Sequence, residues 1–160
     1  MSIGFTTRAA EQTVRAGELL AGVVRPCDVI ALTGDLGAGK THLVQGVARG
    51  LGVAEPVTSP TFNLLVVHPG ALPLYHFDLY RLERAEELDD IGFAEALESG
   101  GVAVIEWGDK FPAELPADRL VVRIRVGEGD ERRFELVPSG PRSEALADDW
   151  LAACQEAGLR

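Results

Sequence analysis

The chain has 160 residues and 46 % hydrophobic content, enough for one well-cored domain over residues 1–160 and too short for two. A net charge of −10 and a pI near 4.7 argue against tight independent binding to nucleic acid, since neutralising phosphates needs clustered Lys and Arg; any RNA is expected to be met through a partner. Cys27 and Cys154 form no metal-ligand or C-x-x-C pattern, and neither end carries an apolar stretch long enough for a signal peptide or membrane span, which together predict a soluble, cytoplasmic protein.

In chain order, a first helix is expected over about residues 8–22, capped by Thr6 or Thr7, with Ala10, Val14, Leu19 and Leu20 on its apolar face. Val29 to Thr33 is a short apolar run suited to a parallel strand covered on both faces. Gly34 to Thr41 then reads G-D-L-G-A-G-K-T, which fits the phosphate-cradling pattern G-x-x-x-x-G-K-[ST]. From this chain's own composition a chance match is expected roughly once in 500 such sequences, so coincidence is a poor account. Leu43, Val47 and Leu51 follow at helical spacing, with Gly50 and Gly52 as a stop.

Thr61 to Val67 and Leu74 to Leu82 read as two strands joined by the turn residues 68–73, an antiparallel hairpin. Residues 83–98 are rich in helix formers and carry seven acids against the single base Arg84, predicting a solvated acidic helix or a contact for a partner. Gly101 to Trp107 contains a second buried-strand run, Val102 to Ile105. Leu120 to Val126 alternates, with Arg123 and Arg125 on its polar face, and Arg133 to Val137 is expected beside it. A last helix over about 142–157 presents Ala145, Leu146, Trp150, Leu151 and Cys154. Buried strands mixed with helices and hairpin-like pairs predict a three-layer α/β nucleotide-binding fold with a mixed parallel and antiparallel sheet.

The phosphate loop assigns chemistry to residue types. Gly34, Gly37 and Gly39 permit backbone angles that let successive N–H groups turn towards an anion, Lys40 brings a mobile point charge, and Thr41 offers a hydroxyl to magnesium. Phosphate chemistry also needs a carboxylate to hold the cation or orient water. Glu106 is the best candidate, because it ends an apolar strand where open α/β sheets place their ligands. In Tyr75 to Arg81 the strand period puts His76, Asp78 and Tyr80 on one face, so Asp78 is a second functional carboxylate or a member of a hydrogen-bonded structural network. Asp35 either orients the loop, faces solvent or meets an attacking water. Thr58 to Phe62 is a switch-like segment touching the γ-phosphate or a turn opening a strand. His42 follows the motif and either packs, faces solvent or adjoins the nucleotide.

Four motifs in order, G-D-L-G-A-G-K-T (34–41), V-x-S-P-T-F (57–62), H-F-D-L-Y-R-L (76–82) and I-E-W (105–107), resemble the bacterial TsaE (YjeE) ATPases of tRNA threonylcarbamoyladenosine biosynthesis, over most of residues 13–137. The resemblance implies a P-loop fold that binds ATP and Mg2+. It places Leu36, Gly37, Ala38, Gly39, Lys40, Thr41 and His42 around the phosphates, Thr41 and Glu106 at the magnesium, and Asp78 in a catalytic or metal-supporting role beside Lys40 and Glu106. Thr61 falls in a switch-like segment, Trp107 beside the nucleotide, and Arg132 near it. It further implies slow ATP hydrolysis that resets a complex with TsaB and TsaD, with tRNA met through that complex. His42 departs from the usual second Thr.

Two other readings share the loop. A small-molecule kinase would need a basic lid, for which Arg119, Arg123, Arg125, Arg132 and Arg133 are available, though strand alternation favours surface positions. A guanine-nucleotide switch would need N-K-x-D, and Trp107-Gly108-Asp109-Lys110, the nearest stretch, lacks the Asn.

Overall fold

The computed structural model describes residues 3–35, 38–57 and 64–160. Its elements are strand β1 (Ile3–Thr7), helix α1 (Ala10–Ala21), β2 (Val29–Thr33), α2 (Lys40–Gly50), β3 (Leu65–His68), β4 (Leu74–Asp78), α3 (Glu87–Asp90), α4 (Phe93–Leu97), β5 (Val102–Glu106), β6 (Leu120–Val126), β7 (Arg132–Pro138) and α5 (Pro141–Glu156). The strands form one sheet in the order β1-β7-β6-β2-β5-β4-β3. Its centre, β6-β2-β5-β4, is parallel, and it is flanked by antiparallel pairs, β3 on β4 at one edge and β7 with β1 at the other. This is the mixed α/β architecture expected. No helix among the described residues is long and apolar enough to cross a membrane.

Alternation along the central strands sorts the core into two layers. Ile30 and Leu32 of β2 and Val102 and Val104 of β5 join α1, α2 and α5 on one face. Val29, Ala31, Ala103 and Ile105 join α3 and α4 on the other. Strands covered on both sides need apolar residues at every position, which is why these runs do not alternate in sequence.

A strand, β1, precedes the first helix, where the sequence pattern places only a helix cap. Its Phe5 stacks on Phe134 of β7 at 4.7 Å and meets Trp150 of α5 edge-on at 5.1 Å, while Trp150 donates to the Ala16 carbonyl of α1 at 2.9 Å. Burying an aromatic ring contributes about 1.5–3 kcal/mol and each ring pair about 0.5–1.5 kcal/mol more, so this cluster ties both ends of the chain to the sheet. Neither Thr6 nor Thr7 caps α1. Both lie in β1, the helix starts after Ala9, and the Thr7 hydroxyl instead hydrogen-bonds the Thr13 hydroxyl, buried, at 2.8 Å. The buried face of α1 is accordingly Thr13, Ala16, Gly17 and Leu20, with Ala10 exposed.

Gly17 faces α2 and Gly46 faces α1. A Cβ on Gly17 would lie 2.2 Å from the Leu43 carbonyl oxygen, and one on Gly46 2.0 Å from that of Val14, so the two helices cross backbone against backbone. The second expected strand of the hairpin ends at Asp78 rather than Leu82. The acidic stretch is two short helices, α3 and α4, that bury Leu88, Phe93 and Leu97 while their carboxylates face out. In α5, Leu146, Ala147, Trp150 and Cys154 are buried and Ala145 is exposed.

Candidate functional site

The parallel strands β2, β5 and β4 all end at one edge of the sheet, and α2 begins there. Gly39 precedes the helix with φ 104°, a left-handed backbone that a side chain rarely adopts. No side chain among the described residues caps this end, so first-turn N–H groups and the positive end of the helix dipole are left for an anion. Lys40, the first helical residue, is only 5 % exposed. Its ammonium donates to the Gly34 carbonyl at 2.8 Å and stands 3.9 Å from the Trp107 ring centroid.

Burial lowers the Lys40 pKa from its ordinary value, against the opposing pull of Glu106, Asp78, Asp109 and Asp35. The net direction identifies an ammonium that has lost more hydration than its neighbours return. A phosphate arriving at the helix N-terminus would supply what is missing.

Strand register sets the carboxylates. Glu106 is the last residue of β5, 3 % exposed, and lies opposite Leu32 of β2 on one side and Asp78 of β4 on the other. Because Leu74 packs into the α2-side core and side chains alternate, His76 and Asp78 point to that same face. His76 Nε2 meets Glu106 Oε2 at 2.6 Å. Asp78 accepts the Tyr80 N–H at 3.1 Å, and burial raises its pKa above the ordinary carboxylate value, with Glu106 adding to the rise. Trp107 leaves β5 with φ 59°, a left-handed turn that lays its indole between the Lys40 ammonium and the Tyr80 ring, 5.0 Å away.

Gly39, Lys40, Thr41, His42, Asp78, Glu106, Trp107 and Arg132 line one cavity of about 350 Å³, so eight of the expected site residues come together. Ala38 is fully buried beside them in the core. Leu36, Gly37 and Thr61, with the rest of Thr58 to Phe62, lie outside the described residues. Asp35 is exposed, as is Arg81, and neither lines the cavity.

Of the arginines available for a kinase lid, only Arg132 lines the cavity, and it donates to the Gly129 and Glu131 carbonyls. Arg123 instead pairs with Glu135 across β6 and β7 at 3.0 Å. Sequence reasoning missed Ala10 and Thr13 of α1 and Asp130, which complete the lining. Asp130 had a signal, since Gly127-Glu128-Gly129-Asp130 is a turn between two strands and delivers whatever it carries to the sheet end. Thr13 had none, because its place depends on β1.

The donor set is chemically suited to magnesium: a threonine hydroxyl at the helix N-terminus and two carboxylates on adjacent strands are hard oxygen ligands lining one cavity.

The profile of one family, described as threonylcarbamoyl adenosine biosynthesis protein TsaE, matches residues 7–134. The tRNA threonylcarbamoyladenosine biosynthesis protein TsaE of Treponema pallidum is 45 % identical over 120 residues, covering 75 % of this chain and 89 % of that protein. Its namesake from Bacillus subtilis is 40 % identical over 140 residues, 87 % of each. The crystal structure of the Bacillus subtilis protein YdiB superimposes with a TM-score of 0.78 at 34 % identity, covering 94 % of both chains.

Proposed function

Since the chain belongs to the TsaE family of threonylcarbamoyl adenosine biosynthesis proteins, we propose that it is a magnesium-dependent P-loop ATPase that serves tRNA threonylcarbamoyladenosine formation in the cytoplasm, with TsaB and TsaD as its working partners. The observation that carries this reading is the dehydrated Lys40 ammonium at the start of α2, beside a matched pair of carboxylates on neighbouring strands.

In this proposal Lys40 exchanges its Gly34 carbonyl for β- and γ-phosphate oxygens, and first-turn amides of α2 take the remaining charge. Thr41 and Glu106 hold magnesium, directly or through water. Magnesium, when bound, offsets charge developing on the phosphates. Asp78, half-buried one strand over, orients the attacking water; its raised pKa makes it a better proton acceptor than an ordinary aspartate once ionised. Among the described residues Arg132 is the one arginine that lines the cavity, and its guanidinium donates to the Gly129 and Glu131 carbonyls, an arrangement that accords with slow unassisted turnover.

Partner proteins would stimulate hydrolysis by supplying or releasing such a charge, with tRNA reached through them, as the net charge of −10 suggests. The test is ATP turnover measured with the protein alone, with a TsaB–TsaD pair, and with small-molecule acceptors. Stimulation by the proteins supports the proposal; phosphorylation of an acceptor would replace it with a kinase.

A further inference from the structure

His76 has no part in the assignments above, yet it is the most completely enclosed ionisable side chain at the site, with no solvent exposure. Its Nε2 lies 2.6 Å from Glu106 Oε2, and its Nδ1 is buried without a hydrogen-bond partner among the described residues. With Nε2 against a carboxylate oxygen and Nδ1 buried without an acceptor, the imidazole is best accommodated with a proton on Nε2. The proton is then shared with Glu106, and the bare Nδ1 costs less than a buried N–H without an acceptor would.

We infer that His76 is a positioning residue for Glu106. Its Nε2–H takes up Oε2 and fixes the carboxylate rotamer, so that Oε1 is left to the cation that the cavity receives. This rests on the proposal that Glu106 serves magnesium. The physical logic is that of outer-shell partners in metal sites: a ligand carboxylate held by a buried hydrogen bond loses little rotamer freedom on binding, and removing such a partner weakens metal affinity by about 10–100-fold.

The experiment compares His76→Gln, whose amide N–H reaches about as far as Nε2, with His76→Asn, whose shorter amide does not. Each is purified as the full chain, checked by thermal melting, and titrated with Mn2+ in the presence of ADP, the bound ion being read by electron paramagnetic resonance; metal-free ADP affinity is read by calorimetry. The expected result is Mn2+ affinity within about 3-fold of wild type for Gln and about 10–100-fold weaker for Asn, with metal-free ADP affinity the same in both. Equal Mn2+ affinity in the two variants overturns the inference. Glu106→Gln is the control for the underlying reading: if it too binds Mn2+ like wild type, Glu106 is not a metal ligand, whereas a loss there with none in His76→Asn removes His76 alone. Should either His76 variant fail to fold, the native protein still decides. Nitrogen NMR of the histidine side chains must show His76 protonated on Nε2 and not on Nδ1, with that signal moving when Mg2+ is added to the ADP complex; a proton on Nδ1, or an unmoved signal, overturns the inference.

Discussion

Replacing Lys40 by Met separates what this residue does for the fold from what it does for a ligand. Methionine nearly fills the same volume in a site only 5 % exposed, so no large cavity opens. The change removes a charge-assisted hydrogen bond to Gly34, of about 1.5–3 kcal/mol, and a cation–π contact with Trp107, of about 0.5–2 kcal/mol. It also removes the cost of holding an ammonium out of water, which outweighs the attraction of the surrounding acids because the folded-state pKa lies below the ordinary value. The terms oppose, and the nucleotide-free variant should unfold in urea within about 1 kcal/mol of wild type. Towards nucleotide nothing offsets the loss. At least one charge-assisted phosphate contact of about 1.5–3 kcal/mol disappears, and Asp78 and Glu106 then face the polyanion unopposed, so the ADP dissociation constant measured by calorimetry should rise at least about 10–100-fold. Unchanged ADP affinity, or a stability loss of several kcal/mol, would refute the reasoning.

Trp107 should report nucleotide binding, because drawing the ammonium away from a ring 3.9 Å distant alters the indole's surroundings; in a Trp150→Phe background a flat emission titration would contradict the assigned geometry. For Asp78, burial raises the folded-state pKa, so folding disfavours the ionised form: its effect on stability is most favourable below the ordinary value of 3.8 and worsens as pH climbs through the raised one. Asp78→Asn should therefore gain stability relative to wild type as pH increases from about 4 to 7 while losing ATP turnover, and a relative stability that falls across that range in denaturation curves would reject the assignment. Gly46→Ala should cost about 1–3 kcal/mol or more, since the added methyl would meet the Val14 carbonyl oxygen and the roughly 1 kcal/mol helix-propensity gain is too small to compensate; a more stable variant in thermal melts would deny the helix contact.

The site was legible in the sequence wherever a local pattern carried the geometry. The loop motif needs only its own glycines and the strand–helix flank; Glu106 could be singled out because it ends an apolar run, and Asp78 because the strand period sets it on the polar face with His76, and the register then puts the two side by side. Pairing between distant segments was not legible. β1 is a five-residue edge strand with one buried face, and Thr6 and Thr7 look as much like helix caps as strand residues until Phe134 and Trp150 are in place. Thr13 and Ala10 could not be assigned to the cavity without that strand. The bond from His76 to Glu106 spans 30 residues and depends on parallel register, which no local spacing encodes. The acidic stretch misled through composition, because Leu88, Phe93 and Leu97 needed a sheet face beneath them before a long helix could be seen to break.

The glycine crossing of α1 and α2 leaves no cushion of side chains between the two helices where they touch. Interfaces padded by long side chains can absorb sliding through rotamer changes, but two main chains in direct contact can only move as a single body. Lys40 at the start of α2 and Thr13 on α1, which face the same cavity, are thereby mounted on one stiff plate, so a change in the shape of that cavity falls to the strand ends and their connecting loops.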